Sequence, residues 1–206
     1  MTDFVTPTQT LAEASSRKFF NALMWSLSYP GRISPLPANI HAALGVRGDM
    51  LVIGLTLLDL ETSFFASEDA LAFELDNTGA REKPIDRAAY IFFPQLRADD
   101  LHLIEQVSVG DPVYPDRGAT LIIGCDFESA NPVELELSGP GINGTQLTRI
   151  GGVPYGFWSL RHQLMKYPLG FDIFFVGNGQ IMGLPRTTQV AVYGIREPNQ
   201  SLISNL

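Results

Sequence analysis

The sequence has 206 residues, which suffices for one domain of ordinary size with a large core. Its formal net charge of −8 argues against nonspecific binding to nucleic acid or to an anionic membrane, because both need clustered basic residues. A single cysteine, Cys125, excludes an intrachain disulfide and favours a reducing compartment. No segment resembles a signal peptide or reaches the roughly 20 apolar residues that span a bilayer, so a soluble cytoplasmic protein is predicted.

The N-terminal region combines a polar arm with a long amphipathic helix. Residues 1–9 are polar and predict a flexible arm. Residues 11–28 predict a helix, because Phe19, Leu23 and Leu27 recur every four residues and a Pro–Gly pair follows. Such a bulky stripe should dock on a sheet or on a partner. We therefore assign Phe19, Leu23 and Leu27 to a candidate interface.

Buried strands alternate with helices along the rest of the chain. Residues 50–58 are apolar on nearly every side and predict a buried helix in which Gly54 allows close packing; a buried strand is the alternative. Further helices are predicted from 67 to 79, from 98 onward and from 154 to 166. Strands are predicted at 62–66, 87–93, 119–125, 132–137, 171–176, from 181 and at 190–193.

This order of elements predicts a three-layer α/β/α fold with a mixed sheet. Only the segment 132–137 alternates apolar with acidic residues, as a half-exposed antiparallel strand does. We expect a single α/β domain over residues 10–195, followed by a C-terminal tail at 196–206.

The most suggestive polar cluster is Arg186-Thr187-Thr188. An arginine can fork onto phosphate oxygens, and the two hydroxyls can add hydrogen bonds. The alternative is a structural ion pair between Arg186 and Asp172 that fastens the strand ends. No metal site is predicted, because the three histidines and the lone cysteine show no metal-ligand spacing.

Five motifs resemble, in the same order, the signatures of the PhnH subunit family of bacterial carbon–phosphorus (C–P) lyase systems. The first has the form F-x-x-x-M-x-x-(M/L)-S-x-P-G and runs here from Phe20 to Gly31. The other four are found at Gly118–Ile122, Leu137–Ile142, Tyr167–Asp172 and Leu184–Thr188.

The resemblance implies a fold like that of pyridoxal-phosphate-dependent transferases, reduced in size and lacking the cofactor site. It also implies a homodimer that joins PhnG-, PhnI- and PhnJ-type subunits in a cytoplasmic complex for phosphonate catabolism. The first reaction of that complex joins a phosphonate to C1 of the ribose triphosphate of ATP and displaces adenine. No cofactor is expected in this subunit.

Three hypotheses follow. The first is an interaction subunit with little chemistry of its own. The second is a nucleotide- or phosphonate-binding transferase subunit that uses Arg186, Thr187 and Thr188, with Asp172 beside them. The third is a diverged pyridoxal-type transferase, which needs a lysine in a dry pocket, and Lys166 is the only lysine near the start of a strand.

Overall fold

A computed structural model describes residues 11–38 and 41–193 of the chain, apart from the side chains at 11 and 12. The predicted arm at 1–9 and the tail at 196–206 lie outside the described residues, and the single domain over 10–195 stays a prediction. The α-helices in this part of the chain are α1 (Leu11–Ser28), α2 (Val46–Leu57), α3 (Asp69–Asp76), α4 (Leu101–Ile104) and α5 (Gly156–Leu164). The strands are β1 (Ser34–Pro35), β2 (Ser63–Ala66), β3 (Arg81–Glu82), β4 (Tyr90–Phe93), β5 (Thr120–Gly124), β6 (Val133–Ser138), β7 (Gln146–Ile150), β8 (Asp172–Gly177), β9 (Gln180–Leu184) and β10 (Gln189–Val192).

The larger sheet is mixed, as predicted. Its strand order is β1-β9-β8-β5-β4-β2-β3. Strands β3, β2, β4, β5 and β8 run parallel, whereas β9 is antiparallel to β8 and β1 is antiparallel to β9. The parallel neighbours are joined by longer crossover connections, and only the β8–β9 pair is joined by a tight hairpin, as strand direction requires.

Successive residues of each central strand point to opposite faces, so each strand contributes to two apolar cores. On β5, Ile122 belongs to the core beneath α1, α2 and α3, while Leu121 and Ile123 belong to the core on the other side. On β8, Phe174 and Phe175 divide in the same way. Strands buried on both faces have continuous apolar sequences, which is why these strands could be predicted.

The two faces of the sheet are covered differently. Helices α1, α2 and α3 cover one face, as the α/β/α prediction requires. The other face is covered by α4, α5 and a second, antiparallel sheet with the order β10-β6-β7. Leu135, Leu137 and Ile150 of that small sheet share a core with Phe157 of α5. The cover of this face therefore combines helices with half-exposed strands, whereas the prediction had placed only helices there.

Helix α1 has the predicted bounds but not the predicted interface. Phe19 and Leu23 are 0% and 2% exposed in the core beneath the helix, and Leu27 is half-buried. The interface assignment is corrected for Phe19 and Leu23, because side chains buried in their own chain offer no surface to a partner. The helix approaches β9 closely, since a Cβ atom at Gly183 would lie 2.5 Å from backbone atoms of Ser26.

Residues 50–58 fall largely within α2, which confirms the helix and not the strand. Most residues of α2 are buried or half-buried, because the helix packs between α1 and α3. A Cβ atom at Gly54 would collide with the side chain of Leu75 on α3, so the predicted close packing at this glycine is confirmed.

Strands β8 and β9 form a hairpin that is fastened at both ends. Its turn uses Asn178 and Gly179 with positive φ angles of 51° and 69°, a combination that suits the twist of two-residue hairpins. The backbone N–H of Gly179 donates to Oδ2 of the buried Asp49 on α2, at 3.0 Å. At the open end, Asp172 begins β8 and lies beside Arg186, which follows β9.

Candidate functional site

The residues predicted to bind a ligand meet at the open end of this hairpin. Nη2 of Arg186 lies 2.8 Å from Oδ2 of Asp172, and Nε of Arg186 lies 3.3 Å from both carboxylate oxygens. The backbone N–H of Arg186 also donates to Oδ1 of Asp172, at 2.8 Å. The antiparallel pairing of β8 with β9 brings these residues together although they are fourteen positions apart.

Arg186 also fastens a loop that precedes β5. Its Nη1 donates to the backbone carbonyl of Pro115. Both side chains of the Arg186–Asp172 pair are mostly buried, with exposures of 17% and 22%. Such a pair is screened less by solvent than a surface pair, and its charge-assisted hydrogen bonds are correspondingly stronger.

A second arginine, which the sequence analysis did not single out, lies behind this ion pair. Arg161 of α5 is only 3% exposed, and its Nη2 donates to the backbone carbonyls of Pro185 (3.1 Å) and Thr188 (3.2 Å). Burial lowers the pKa of Arg161 to about 10, and the negative charge of Asp172 partly opposes that shift. The sequence contains one indication that Arg161 is buried, because this residue lies four positions after Phe157 and therefore on the buried stripe of α5.

The arrangement acts as a structural clamp. Each of the three guanidinium nitrogens of Arg186 already donates to Asp172 or Pro115, which corresponds to the structural alternative considered for this pair. Thr187 is half-buried, and Thr188 is buried with a hydroxyl that has no partner among the described residues. Ligand binding by Arg186, Thr187, Thr188 and Asp172 stays a prediction.

Two adjoining cavities lie elsewhere, beside the outer face of α1. One has a volume of about 570 Å³ and the other about 310 Å³, and both are lined by Arg32 and Ile33. Trp25 and Tyr29 line the smaller cavity, with their rings stacked at a centroid distance of 5.4 Å. Leu147 and Tyr193 line the larger one. We call the surface formed by these six residues the α1 groove: Trp25, Tyr29, Arg32, Ile33, Leu147 and Tyr193.

The α1 groove is unusually apolar for an exposed surface. Trp25, Leu147 and Tyr193 are each more than half exposed, and Tyr29 and Ile33 are also exposed. Phe20 and Met24, on the same helix, extend the exposed apolar surface. Contiguous exposed apolar surface of this kind marks sites of interaction in proteins.

Groups typical of metal or thiol chemistry are scarce. No cluster of three or more His, Cys, Asp or Glu side chains that could hold a metal ion occurs within residues 11–38 and 41–193. Burial, with a further contribution from the charge of Asp126, raises the pKa of the Cys125 thiol well above its usual range. Lys18 and Lys166 are exposed and Lys83 is half-buried, so none of the three is fully enclosed. No helix in the described part of the chain is both long and apolar enough to cross a membrane.

Together, the mixed sheet, the clamp and the open groove define an α/β protein with an exposed aromatic surface. The chain belongs to the PhnH family of bacterial phosphonate metabolism proteins, whose model matches residues 9–191.

Two relatives match over most of their length. The chain is 30% identical over 178 residues to HtxG of Stutzerimonas stutzeri, a protein named as a C-P lyase subunit, and the match covers 85% of each chain. It is 27% identical over 191 residues to the alpha-D-ribose 1-methylphosphonate 5-triphosphate synthase subunit PhnH of Rhizobium meliloti, covering 85% of this chain and 90% of that protein. The predicted family is therefore confirmed.

Proposed function

We propose that this chain is an interaction subunit of a C–P lyase core complex. The observation that carries the proposal is the match to the PhnH family and to two relatives, one named as a C-P lyase subunit and the other as a subunit of alpha-D-ribose 1-methylphosphonate 5-triphosphate synthase. In this proposal the chain forms a homodimer, has a reduced pyridoxal-transferase-like fold without the cofactor, and works in the cytoplasm with PhnG-, PhnI- and PhnJ-type subunits.

The proposed reaction of the complex couples a phosphonate to ATP. A bond forms between a phosphonate oxygen and C1 of the ribose, the bond from C1 to adenine breaks, and adenine leaves. The product is a ribose 1-phosphonate 5-triphosphate, which agrees with the name of the Rhizobium meliloti relative.

Two features of the described residues support an interaction role over a catalytic one. The Arg186 guanidinium is committed to Asp172 and to the Pro115 carbonyl, so a phosphate would have to displace a carboxylate. Meanwhile α1 presents an exposed aromatic surface of the composition that dominates binding at protein interfaces.

Co-expression tests the proposal. The tagged chain is produced with the PhnG-, PhnI- and PhnJ-type subunits of the same bacterium, and the eluted assembly is sized and weighed. We expect a stable complex containing all four subunits and two copies of this chain. A chain that elutes alone would refute the proposal.

A second experiment separates the interaction role from ligand binding. Adenine release from ATP and methylphosphonate is compared for the complex with and without this chain, and we expect release to require it. The variant Thr187→Ala distinguishes the two functions, because Thr187 is outside the clamp. An interaction subunit should retain adenine release in this variant, whereas a ligand-binding subunit should lose most of it.

A further inference from the structure

The α1 groove combines aromatic side chains with a guanidinium in the centre. Trp25 and Tyr29 flank one side, Leu147 and Tyr193 lie on the other, and Arg32 lines both cavities between them. Tryptophan, tyrosine and arginine are the residues that most often supply the binding energy of protein interfaces. The groove therefore has the composition of an interface and not of an ordinary solvated surface.

The charge of the groove is opposite to that of the whole chain. Arg32 and Lys18 make no ion pair with any described residue, and Lys18 lies two helical turns before Trp25 on the same side of α1. The only acidic residue in the lining of the two cavities is Glu134, and it is already paired with Arg149 at 2.6 Å. A locally positive surface on a chain with a net charge of −8 attracts an acidic partner.

A second copy of this chain fits the groove poorly. A two-fold interface centred here would bring two copies of Arg32 together, since such an interface pairs each surface with itself. The carboxylate of Glu134 would balance them only in part, because it already lies 2.6 Å from the guanidinium of Arg149. Like charges facing each other oppose association, so the proposed homodimer would use another surface.

We infer that the α1 groove is the docking site for another subunit of the complex, through a segment that is apolar and carries at least one carboxylate. Apolar side chains of that segment pack against Trp25 and Tyr29, and its carboxylate accepts hydrogen bonds from the Arg32 guanidinium. This inference rests on the proposed function, which supplies the partner assembly, and adds the surface and the chemistry that recognise it.

The test measures binding of the purified PhnG-, PhnI- and PhnJ-type assembly to immobilised full-length chain. Trp25→Ala should weaken binding by at least about tenfold, the loss typical of a central aromatic anchor. Arg32→Glu should also weaken binding by about tenfold at low salt, and by less at high salt, because screening reduces the repulsion it introduces.

Two residues away from the groove serve as matched controls, one on α3 and one on the edge strand β3. Phe73 is an exposed aromatic residue on α3, and Arg81 is an exposed arginine of β3 without an ion pair to any described residue. Phe73→Ala and Arg81→Glu should each change binding by less than about twofold, as expected of residues outside an interface. Light scattering of the chain alone monitors self-association in every variant.

The outcomes distinguish the docking inference from the proposed function and from other occupants of the α1 groove. If wild-type chain binds the assembly but Trp25→Ala and Arg32→Glu bind equally well, the docking inference is wrong and the proposed function survives. If wild-type chain binds nothing, the proposed function fails, and the inference fails with it. If the two groove substitutions change only self-association, a second copy occupies the groove. If they lower only the melting temperature of the isolated chain, its own tail occupies it. Either result overturns the inference.

Discussion

Removing the charge of Asp172 should cost more stability than removing the charge of its partner, Arg186. In Asp172→Asn the amide oxygen can still accept from the backbone N–H of Arg186, but an amide NH2 group, which only donates, replaces the oxygen Oδ2 that accepts from the guanidinium. Without that charge, the Arg186 guanidinium and the buried Arg161 lose the carboxylate that stabilises both. In Arg186→Met, by contrast, Asp172 keeps its bond to the backbone N–H and the favourable charge of Arg161.

The magnitude follows from the contacts. Two side-chain hydrogen bonds to Oδ2, at 2.8 and 3.3 Å, are lost in Asp172→Asn, because the amide NH2 group that replaces Oδ2 donates and cannot accept. Each loss costs about 1 kcal/mol, and the uncompensated charge of Arg161 adds up to about 1 kcal/mol more, for a total of about 3 kcal/mol. We expect about 2 kcal/mol for Arg186→Met. The double variant should also cost about 3 kcal/mol, so that the two residues couple by about 2 kcal/mol.

Urea unfolding followed by circular dichroism measures these free energies. Glu134→Gln and Arg149→Met are the matched control, because that pair is shorter, at 2.6 Å, but largely exposed. Exposed pairs contribute about 0–1 kcal/mol, so each control should fall below 1 kcal/mol. Additive costs for Asp172→Asn and Arg186→Met, or costs no larger than those of the control pair, would refute the clamp.

Three other substitutions or modifications probe other parts of the fold. Gly183→Ala should lower the free energy of unfolding by about 2–4 kcal/mol, because the new Cβ would meet the Ser26 backbone. The free energy of unfolding of the wild type, relative to that of Arg161→Met, should rise by about 1 kcal/mol between pH 9 and 11 when both are measured by urea unfolding. Arg161 has a pKa of about 10 in the folded chain and a higher pKa in the unfolded chain. The unfolded chain therefore binds more protons at Arg161 in this pH range, so stability increases with pH. Cys125 should react with a thiol reagent at pH 8 much more slowly in the native chain than in urea, because its pKa is raised.

Each of these expectations has a contrary outcome. A Gly183→Ala chain as stable as the wild type would show that α1 can move away from β9 at little cost. A difference between wild type and Arg161→Met that stays constant with pH would show that Arg161 titrates no differently in the folded chain. Native Cys125 reacting as fast as the denatured thiol would show that the folded chain leaves the thiol accessible to the reagent.

The parallel strands and their helices could be predicted because burial on both faces leaves long apolar runs. Three strands, β1, β3 and β7, could not. β1 has only two residues, Ser34 and Pro35, and its proline is typical of a loop. β3 consists of Arg81 and Glu82, which are exposed at the sheet edge and carry no apolar signal. β7 buries only Thr148 and Ile150, and its partner β6 supplies the apolar residues that hold it in place. Such strands are specified by pairing with a neighbour, and a pattern within one segment does not contain that information.

The prediction for α1 illustrates a different limit. Periodicity correctly identified the stripe containing Phe19 and Leu23, but it could not tell whether a sheet or a partner covers it. Trp25, which remains exposed, lies on another side of the same helix, and the exposed Tyr29 follows directly after its end. Likewise, an ion pair between Arg186 and Asp172 could be proposed from the opposite charges of the two residues alone. The role of Arg161 could not, because it depends on where α5 packs.

The double fastening of the β8–β9 hairpin has a consequence for how the protein opens. Asp49 holds the turn through Gly179, while Asp172 and Arg186 hold the ends. Hairpins usually fray from their ends or loosen at the turn, and a hairpin secured at both places has neither starting point. Its amide hydrogens should therefore exchange with deuterated solvent together, as one cooperative unit whose opening requires the sheet on both sides to separate.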